Sequence, residues 1–464
     1  MVPERLRPAL DAANELARLF EAAGAHLYLV GGVVRDALLD RLSPGADLDF
    51  TTDALPTQTE DLLRSWADNI WTQGKRFGTI GAAKGGRRVE VTTHRAEEYE
   101  PASRKPEVAF STALEADLSR RDFTVNAMAL SLPDLVLVDP FNGTADLATR
   151  TLRTPLSPEA SFTDDPLRML RAARFIAGYG LEPDAQLFAA VTRLRGRLDI
   201  VSDERVRDEL DKLMVVADPS SGLWFLVKTG LADEFIPELP ALAVEQDPLH
   251  HHKDVLAHTI AVVQRARPDR IVRLAALFHD IGKPKTRSFG PGGTVSFHHH
   301  ELMGARMTRD RMRALRYPVD DIERVSKLVE LHLRFHTYAM GWTDSAVRRY
   351  VRDCGDLLDA LNELTRSDCT TRNAAKAKAL SMRMDELEKR IAALRDKEEL
   401  AAIRPDLDGR EVMEHLGLAP GPAVGRALAF LLEARLEEGP HSHDEAIKLL
   451  DQWWGGQPEA QPQV

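Results

Sequence analysis

Two aspartates follow a glycine turn near the start of the chain, and their spacing suits metal-dependent phosphoryl chemistry. Asp47 and Asp49 are two residues apart in a segment that we predict to be a strand, so both carboxylates can point to one face. Gly31 and Gly32 precede a predicted helix whose first turn carries Arg35. Glycines at a helix start let backbone N–H groups approach a phosphate, which the helix dipole also favours. The combination predicts phosphoryl or nucleotidyl transfer with magnesium held by the two carboxylates.

Other polar residues could complete this site. Glu90 lies on a strand of alternating pattern and could be a third carboxylate or could simply face outward. Asp122 and Asn126 are four residues apart, so we expect them on one helix face, where they could hold a ribose hydroxyl while Arg121 contacts phosphate. The alternative is that the same residues form the capped start of a helix.

A third motif could recognise a base without a nucleic-acid template. Pro166 suits a first helical turn, which places Asp165 and Arg168 next to each other on the helix surface. A carboxylate that accepts an amino proton beside an arginine that donates to a ring nitrogen suits cytosine or adenine, because uracil and guanine present a carbonyl in place of the amino group. Arg171 and Arg174, on nearly the same face, suit phosphates. The alternative is an intrahelical Asp–Arg ion pair, which contributes little.

The second half of the chain contains histidines and aspartates of the types that bind metals. Imidazole and carboxylate suit a hard or borderline divalent ion, whose identity the sequence does not give. The candidate ligands are His258, His279, Asp280 and Asp368. The alternative is a domain kept as a scaffold that has lost its metal.

The elements that must position these residues change in type along the chain. Periodicity predicts strands at 26–30, 47–52, 78–83 and 87–93, helices at 33–40 and 56–68, and a mobile loop at 94–116. Beyond residue 160, helical patterns follow at 165–178, 185–196, 203–216 and 220–230. We predict four domains: a mixed α/β head at 1–155, a helical neck at 156–248 for base selection and RNA binding, a histidine-containing domain at 249–372, and a helical tail at 373–464 that ends in roughly ten disordered residues.

Composition indicates a globular protein and limits its partners. The 464 residues are 44% hydrophobic and 29% charged, with a formal net charge of −11. This charge argues against a protein that coats nucleic acid non-specifically, but it leaves room for a local basic groove. The two cysteines provide neither a disulfide framework nor a cysteine zinc site. We find no membrane-spanning apolar run and no signal-peptide layout, so we expect no membrane partner and a cytoplasmic location.

Taken in order, the motifs of the first half resemble the bacterial, class II branch of the CCA-adding tRNA nucleotidyltransferase and poly(A) polymerase family. The similarity covers about residues 26–215. It includes Gly31–Asp36, Asp47–Asp49, Arg120–Met128, Asp139–Leu147 and Asp165–Arg168. The resemblance implies an α+β head of polymerase-β-like fold, followed by a mainly α-helical neck, an HD domain and a tail that grips tRNA.

The same resemblance implies a reaction and roles within it. The implied roles are magnesium binding by Asp47 and Asp49, ribose contact by Asp122, and selection of CTP and then ATP by Asp165 and Arg168 for addition to a tRNA 3′ end. Asp164 departs from the glutamate that the family usually has there. Poly(A) addition is the alternative within the family, and two features favour CCA addition: the segment 73–79 and the absence of a long basic tail.

The histidine-containing region resembles the HD metal-dependent phosphohydrolase family. The similarity rests on His258, on His279-Asp280 followed by Gly282-Lys283, and on Asp368. His300 and His332 stand where two-metal HD proteins have further ligands. The resemblance implies a phosphatase or 2′,3′-cyclic phosphodiesterase activity. A further alternative follows, in which the HD domain is the active part and the head only binds RNA.

Overall fold

The computed structural model of the protein describes residues 7–43, 45–98, 107–244, 254–291, 294–338, 341–370, 374–398, 400 and 403–457. The chain forms two compact units, Met1–Pro237 and Glu238–Val464. The predicted head and most of the predicted neck lie in the first unit, and the predicted HD domain and tail lie in the second. The four domain boundaries stay predictions. None of the helices in the described ranges is long and apolar enough to cross a membrane.

A seven-stranded sheet organises the N-terminal part of the first unit. Its strands are β1 (Leu27–Val30), β2 (Leu48–Thr52), β3 (Asn69–Trp71), β4 (Thr79–Lys84), β5 (Arg87–Thr93), β8 (Ala129–Leu132) and β9 (Leu137–Val138). Their order is β3-β4-β5-β2-β1-β8-β9. The strands β2 and β5 pair in parallel, whereas β1 pairs antiparallel with both β2 and β8. The accompanying helices are α1 (Arg7–Ala22), α2 (Gly32–Leu38) and α3 (Pro56–Trp66).

Alternation along two neighbouring strands separates the core from the polar face. Leu48 and Phe50 on β2 are buried, so Asp49 between them points to the opposite face. On β5, Val89 and Val91 are buried on either side of an exposed Glu90. The buried side chains hold the strands in register, and the acidic side chains stay accessible.

The segment predicted as a loop at 94–116 is partly regular, which corrects that prediction. The strands β6 (Arg95–Glu98) and β7 (Glu107–Phe110) form an antiparallel pair, and α4 (Leu114–Ser119) follows. Residues 99–106 of the predicted loop lie outside the described residues.

The prediction that Asp122 and Asn126 lie on one helix face is also wrong. Only Thr124–Asn126 is helical, as a single 3₁₀ turn after an extended Phe123. The carboxylate of Asp122 accepts hydrogen bonds from the Phe123 backbone N–H and from the Asn126 amide. Such bonds from side chain to backbone compete with helix formation.

Helices dominate the rest of the first unit, as predicted. They are α5 (Gly143–Thr149), α6 (Pro158–Asp164), α7 (Leu167–Tyr179), α8 (Ala185–Leu194), α9 (Asp203–Met214) and α10 (Ser220–Lys228), with two short parallel strands, β10 (Thr151–Leu152) and β11 (Glu182–Pro183). The break between α6 and α7 occurs at Asp165 and Pro166, so Asp165 lies just before the helix rather than on it.

The described residues of the second unit are helical apart from one hairpin and the connecting segments. Its helices are α11 (Val255–Arg265), α12 (Arg270–Phe278), α13 (Lys283–Thr286), α14 (His300–Ala314), α15 (Val319–Leu331), α16 (Asp344–Cys354), α17 (Leu358–Asp368), α18 (Ala374–Arg395), α19 (Gly409–Leu416), α20 (Pro422–Glu438) and α21 (His443–Trp454), and the hairpin is β12 (Arg287–Phe289) with β13 (Val295–Phe297). The last three helices pack around a core that includes Leu407, Val424, Leu431 and Leu450. Most of the predicted disordered end, 458–464, lies outside the described residues.

Candidate nucleotide site and candidate metal centre

Three carboxylates of the first unit meet at one pocket. The parallel register of β2 and β5 puts Asp49 directly beside Glu90, and Asp47, Trp71 and Arg88 line the same pocket. Desolvation raises the pKa of Asp49, and the negative charges of Glu90 and Asp47 raise it further. A divalent cation would relieve this repulsion, so the donor set fits a hard divalent ion held by oxygen ligands.

The glycine turn lies against this pocket. Gly31 has φ +74° and ψ −136°, a conformation that favours glycine. A Cβ atom on Gly31 would lie 3.1 Å from Nη1 of Arg121 and 3.9 Å from Oδ2 of Asp49. A Cβ on Gly32 would lie 3.3 Å from Nη2 of Arg35. The turn therefore brings bare backbone next to both an arginine and the metal-site carboxylate.

Arg121 is aimed into this space by a buried aspartate. Asp117, which is fully buried, accepts from Nη2 of Arg121 at 3.3 Å and from Nη2 of Arg120 at 2.7 Å. Burial raises the pKa of Asp117, but the two arginines outweigh it and lower the pKa overall. The Nε of Arg121 is buried without a hydrogen-bond partner. Sequence reasoning missed Asp117, which no local pattern marks.

Arg35 is placed deeper than its motif suggests. Its residue is only 6% exposed, and its guanidinium donates to Asp36, to Asn126 Oδ1 and to the hydroxyl of Tyr179. Its Cζ also lies 4.1 Å from the centre of the Tyr179 ring. Arg35 thus joins α2 to the end of α7, and its predicted contact with phosphate stays a prediction.

The candidate ribose-binding pair does come together, although not on a helix. Asn126 Nδ2 donates to Asp122 Oδ1 at 2.8 Å, and Arg171 Nε donates to Asp122 Oδ2 at 2.9 Å. Burial raises the pKa of Asp122, but Arg171 and the hydrogen bonds from Asn126 and Phe123 hold it below its ordinary value. Asp122 is therefore an ionised carboxylate fixed by α7.

The two predicted base-reading residues are neighbours but do not bond through their side chains. Arg168 donates to Ser161 Oγ at 2.9 Å and to the Arg120 carbonyl at 2.5 Å. Asp165 instead accepts from Nη2 of Arg205 on α9 at 3.3 Å. The intrahelical Asp165–Arg168 ion pair that stood as the alternative is absent. Arg205 is a neighbour of the candidate base-reading carboxylate that the sequence analysis did not identify.

Arg174 faces a buried acid rather than open solvent. Its Nε donates to Glu209 at 2.8 Å, and Glu209, which is 3% exposed, also accepts from Lys212 at 3.0 Å. Nη1 of Arg171 lies 3.8 Å from the same carboxylate. Burial raises the pKa of Glu209, but these cations lower it below its ordinary value. Glu209 therefore links α9 to the arginine face of α7.

Four of the candidate ligands in the second unit are imidazoles that converge on the carboxylate of Asp280. Nε2 atoms of His279 and His258 lie 3.2 and 3.6 Å from its Oδ2, while those of His300 and His332 lie 3.4 and 4.0 Å from its Oδ1. Asp368 Oδ1 lies 2.9 Å from His258 Nε2. Within the described residues, the groups tight enough for a metal ion are His258–His279–Asp280 and Asp280–His300–His332.

Three of the imidazoles have a fixed tautomer. The Nδ1 atoms of His279, His300 and His332 each donate to the carbonyl three residues earlier, at 2.8, 2.8 and 2.7 Å. A carbonyl can only accept, so each Nδ1 carries a proton and each neutral Nε2 offers a lone pair. The Nε2 atoms of His300 and His332 face each other at 3.3 Å, an arrangement that fits a cation between them.

The aspartates and histidines of this cluster have shifted pKa values, and the two histidines described here shift in opposite directions. Asp280 is buried and Asp368 partly buried against imidazoles, which hold the pKa of both carboxyls well below the ordinary value although burial opposes this. Burial and the neighbouring His279 lower the pKa of His332 to about 3. The pKa of His279 is raised, because Asp280 and Asp368 outweigh desolvation.

Helix ends position these ligands. His300 begins α14, Asp368 ends α17, and His279 and His332 follow the last residues of α12 and α15. His279 and Asp280 therefore lie just after the last residue of α12. A Cβ on Gly282 would lie 2.2 Å from the His300 carbonyl, so glycine is needed for α14 to come this close.

Models of three protein families match the chain in the order of its predicted domains. They are the poly A polymerase head domain over residues 27–153, the probable RNA and SrmB-binding site of polymerase A over 180–242, and the HD domain over 251–401. Enzymes of the nucleotidyltransferase and HD families depend on metal ions.

Characterised relatives resemble the chain over most of its length. An A-adding tRNA nucleotidyltransferase of Deinococcus radiodurans is 37% identical over 73% of this chain and 79% of its own length. A CC-adding tRNA nucleotidyltransferase of Thermus thermophilus is 32% identical over 94% and 95%. A CCA-adding enzyme of Streptococcus thermophilus is 30% identical over 96% of both chains.

Solved structures share the fold. The Bacillus stearothermophilus CCA-adding enzyme in complex with CTP matches with a TM-score of 0.70 and 22% identity, over 97% of this chain and 98% of that one. The Thermotoga maritima CCA-adding enzyme complexed with tRNA matches with a TM-score of 0.59 and 17% identity, over 95% and 94%. The family models and the long-range identities agree, and the chain belongs to the tRNA nucleotidyltransferase and poly(A) polymerase family, with an HD domain.

Proposed function

We propose that this nucleotidyltransferase adds C, C and A in sequence to the 3′ end of tRNA, with CTP and ATP as substrates and pyrophosphate as the leaving group. The observation that carries the proposal is the contact between the Gly31 turn, Arg121 and Asp49. A Cβ atom on Gly31 would lie 3.1 Å from Arg121 and 3.9 Å from Asp49. A phosphate-binding turn, a cation and a metal-binding carboxylate are therefore adjacent, as nucleotidyl transfer requires.

Asp47 and Asp49 are the residues that would hold magnesium, with Glu90 beside them. When bound, the ions would activate the 3′-hydroxyl and neutralise charge that develops on the phosphates. The backbone at Gly31 and Gly32 leaves room for the triphosphate, and Arg121 donates to it. Since Asp117 already fixes one side of the Arg121 guanidinium, Nη1 is pre-aimed at the turn.

The sugar and the base are assigned to α7 and the segment before it. Asp122 is ionised and held by Asn126 and Arg171, so it can accept from a ribose hydroxyl without moving. We assign base selection to Asp165 and Arg168. Asp165 would accept the amino proton that cytosine and adenine share, and Arg168 would donate to the adjacent ring nitrogen.

Relatives of this chain divide the reaction in different ways, since their names include A-adding, CC-adding and CCA-adding enzymes. The chain carries both the metal-site carboxylates and the base-selecting pair, so we assign all three additions to it. These relatives act on tRNA, and poly(A) addition is not favoured.

Replacement of one metal-site carboxylate tests the assignment of the catalytic centre. Purified Asp49→Asn should lower incorporation of labelled CTP into a tRNA transcript lacking CCA by about 10²- to 10³-fold, the range for loss of one group that stabilises developing charge. Asp53→Asn is the matched control, because Asp53 follows the same strand but bonds His26 at its far end. Equal activity of Asp49→Asn and the wild-type chain would contradict the assignment.

The geometry of the second unit favours an additional function as a metal-dependent phosphohydrolase. The supporting observation is the set of imidazoles whose Nε2 lone pairs converge on Asp280. Hydrolysis of p-nitrophenyl phosphate, after chelation and readdition of single divalent metals, tests this role. We expect His279→Asn to abolish it and exposed His298→Asn to retain it. No hydrolysis with any metal would sink this second function and leave the first intact.

A further inference from the structure

A hairpin that follows the short basic helix α13 (Lys283–Thr286) adjoins the histidine cluster of the second unit. It consists of β12 and β13, which pair antiparallel with Arg287 opposite Phe297 and Phe289 opposite Val295. Residues two apart on a strand share a face, so Arg287, Phe289 and their two partners all belong to one face of the hairpin. We call this the hairpin face.

The root of the hairpin is tied to the candidate metal centre. Lys283, just before it, donates to Asp280 Oδ2 at 2.7 Å, and its Nζ lies 5.6 Å from the centre of the Phe297 ring. The Phe297 carbonyl accepts from Nδ1 of His300. Phe289 lies two residues along the strand from Arg287, about 7 Å further from this root.

On the outer part of the hairpin face, an exposed Phe289 lies beside the half-buried Arg287. Phe289 is 68% exposed, which is high for so large an apolar side chain. The guanidinium carbon of Arg287 lies 4.9 Å from the centre of its ring. An aromatic ring and a planar cation offer two surfaces on which an unpaired base can stack.

Charge on this segment is one-sided in an acidic protein. Residues 281–300 contain Lys283, Lys285 and Arg287 but no aspartate or glutamate, whereas the whole chain has a net charge of −11. Lys285 is exposed. A positive strip with aromatic residues beside it is the composition of surfaces that bind single-stranded nucleic acid.

We propose that the hairpin face binds single-stranded RNA, with a base stacked on Phe289 and backbone phosphates beside Lys285 and Lys283, and so delivers an RNA end to the histidine cluster. RNA is favoured over a free nucleotide because the basic residues extend beyond one phosphate, from Lys283 to Arg287. The inference deepens the proposed role of the second unit, but its binding step does not need that unit to be hydrolytic.

A local fluorescent reporter separates this surface from RNA bound elsewhere on the chain. Phe289→Trp keeps an aromatic ring at the face, and titration of the full-length variant with a single-stranded RNA oligonucleotide should quench the added tryptophan. Val319→Trp is the matched control, because Val319 is 71% exposed in the same unit and lies at the start of α15. Both variants share the six natural tryptophans as background.

The outcomes are distinct. Quenching of Phe289→Trp alone, at least about ten-fold tighter for the oligonucleotide than for CMP or AMP, supports the proposal. Adding Lys285→Ala should then reduce the slope of log K against log salt by about 0.7, the loss of one phosphate contact on a single strand. Equal quenching of both reporters, no quenching, or equal affinity for mononucleotide and RNA would overturn it.

Failure of this inference is distinguishable from failure of the phosphohydrolase role. If p-nitrophenyl phosphate is hydrolysed but Phe289→Trp does not respond to RNA, the hairpin inference falls and the hydrolytic role stands. If no substrate is hydrolysed but the reporter responds selectively, the RNA-binding surface stands without the hydrolytic role.

Discussion

Replacement of Gly31 by alanine should disable the nucleotide site while leaving the fold in place. The new Cβ would meet Nη1 of Arg121 at 3.1 Å, and ordinary contacts begin at about 3.4 Å, so the guanidinium must shift by a few tenths of an ångström. The same Cβ would lie 3.9 Å from Oδ2 of Asp49, so the rearrangement occurs beside the metal-site carboxylate. Displacements of about 1 Å cost about 100-fold in well-oriented sites. We expect kcat/KM for CTP to fall by about 10- to 100-fold.

The same substitution also has a backbone cost, and the chain offers a control that carries the same kind of cost. Gly24 has φ +75°, almost identical to φ +74° at Gly31, but a Cβ there meets nothing within 4 Å. Alanine at a positive φ destabilises by about 1–3 kcal/mol at either site. Gly24→Ala should therefore lower the thermal unfolding midpoint without changing kcat/KM.

Steady-state incorporation into a tRNA transcript and thermal unfolding by circular dichroism, on both variants, provide the comparison. We expect both variants to be destabilised and only Gly31→Ala to lose activity. Wild-type kcat/KM for a folded Gly31→Ala would refute the assignment of the turn to the nucleotide site. Equal losses of activity in both variants would show that backbone strain alone is responsible.

Two further predictions concern the residues that support α7. Glu209→Gln leaves Arg174 without its buried partner and should lower the stability of α9 by about 2–4 kcal/mol at pH 7. Hydrogen exchange of that helix measures the change. The control Glu204→Gln, at an exposed position of the same helix, should change the stability by less than about 0.5 kcal/mol. The pKa of Glu209 in the folded protein lies below its unfolded value, so this stabilisation is full above about pH 4.3 and is lost as the pH falls through the folded pKa. The difference in stability between variant and wild type should therefore vanish in acid. A difference that persists in acid would contradict the charge argument. Arg205→Ala removes an exposed partner of Asp165, so it should change the stability by less than about 1 kcal/mol. It should, however, reduce the preference for CTP over UTP. An unchanged preference for CTP would show that Arg205 does not orient Asp165.

The elements that could be predicted from sequence are those that local patterns determine. The alternation of Leu48, Asp49 and Phe50 gave both the strand and the side of the sheet on which the carboxylate lies. The helices of the neck followed from their periodicity. Glu90, left open between a third carboxylate and an outward-facing residue, lies beside Asp49 because of strand order, which the sequence pattern does not state.

Several contacts at the candidate site depend on partners distant in sequence. Asp122 does not begin an α-helix: its carboxylate accepts from the neighbouring Phe123 N–H and from Asn126, and it is also held by Arg171, 49 residues later. Asp165 pairs with Arg205, 40 residues away, and not with Arg168, which was the alternative interpretation. Local propensity contains no information on these ion pairs.

The histidine cluster combines features that local structure determines with contacts between residues that are distant in sequence. The Nδ1 hydrogen bonds of His279, His300 and His332 are made to carbonyls three residues earlier, so the tautomers follow from local structure. The meeting of His258 with Asp368, across about 110 residues of sequence, follows only from the packing of the helices and was expected only through the resemblance to HD proteins.

The identity and order of the nucleotides added to tRNA test the proposed function most directly. Three transcripts, ending before the first C, after one C and after both, are incubated with the purified chain, magnesium and each labelled nucleotide singly or together. We predict three additions, two C and then one A, to the first transcript, and a stop at CCA on all three. A stop after CC, addition of A to the third transcript without any addition of C to the first two, or a long ladder from ATP would each contradict the assignment of complete CCA addition to this chain.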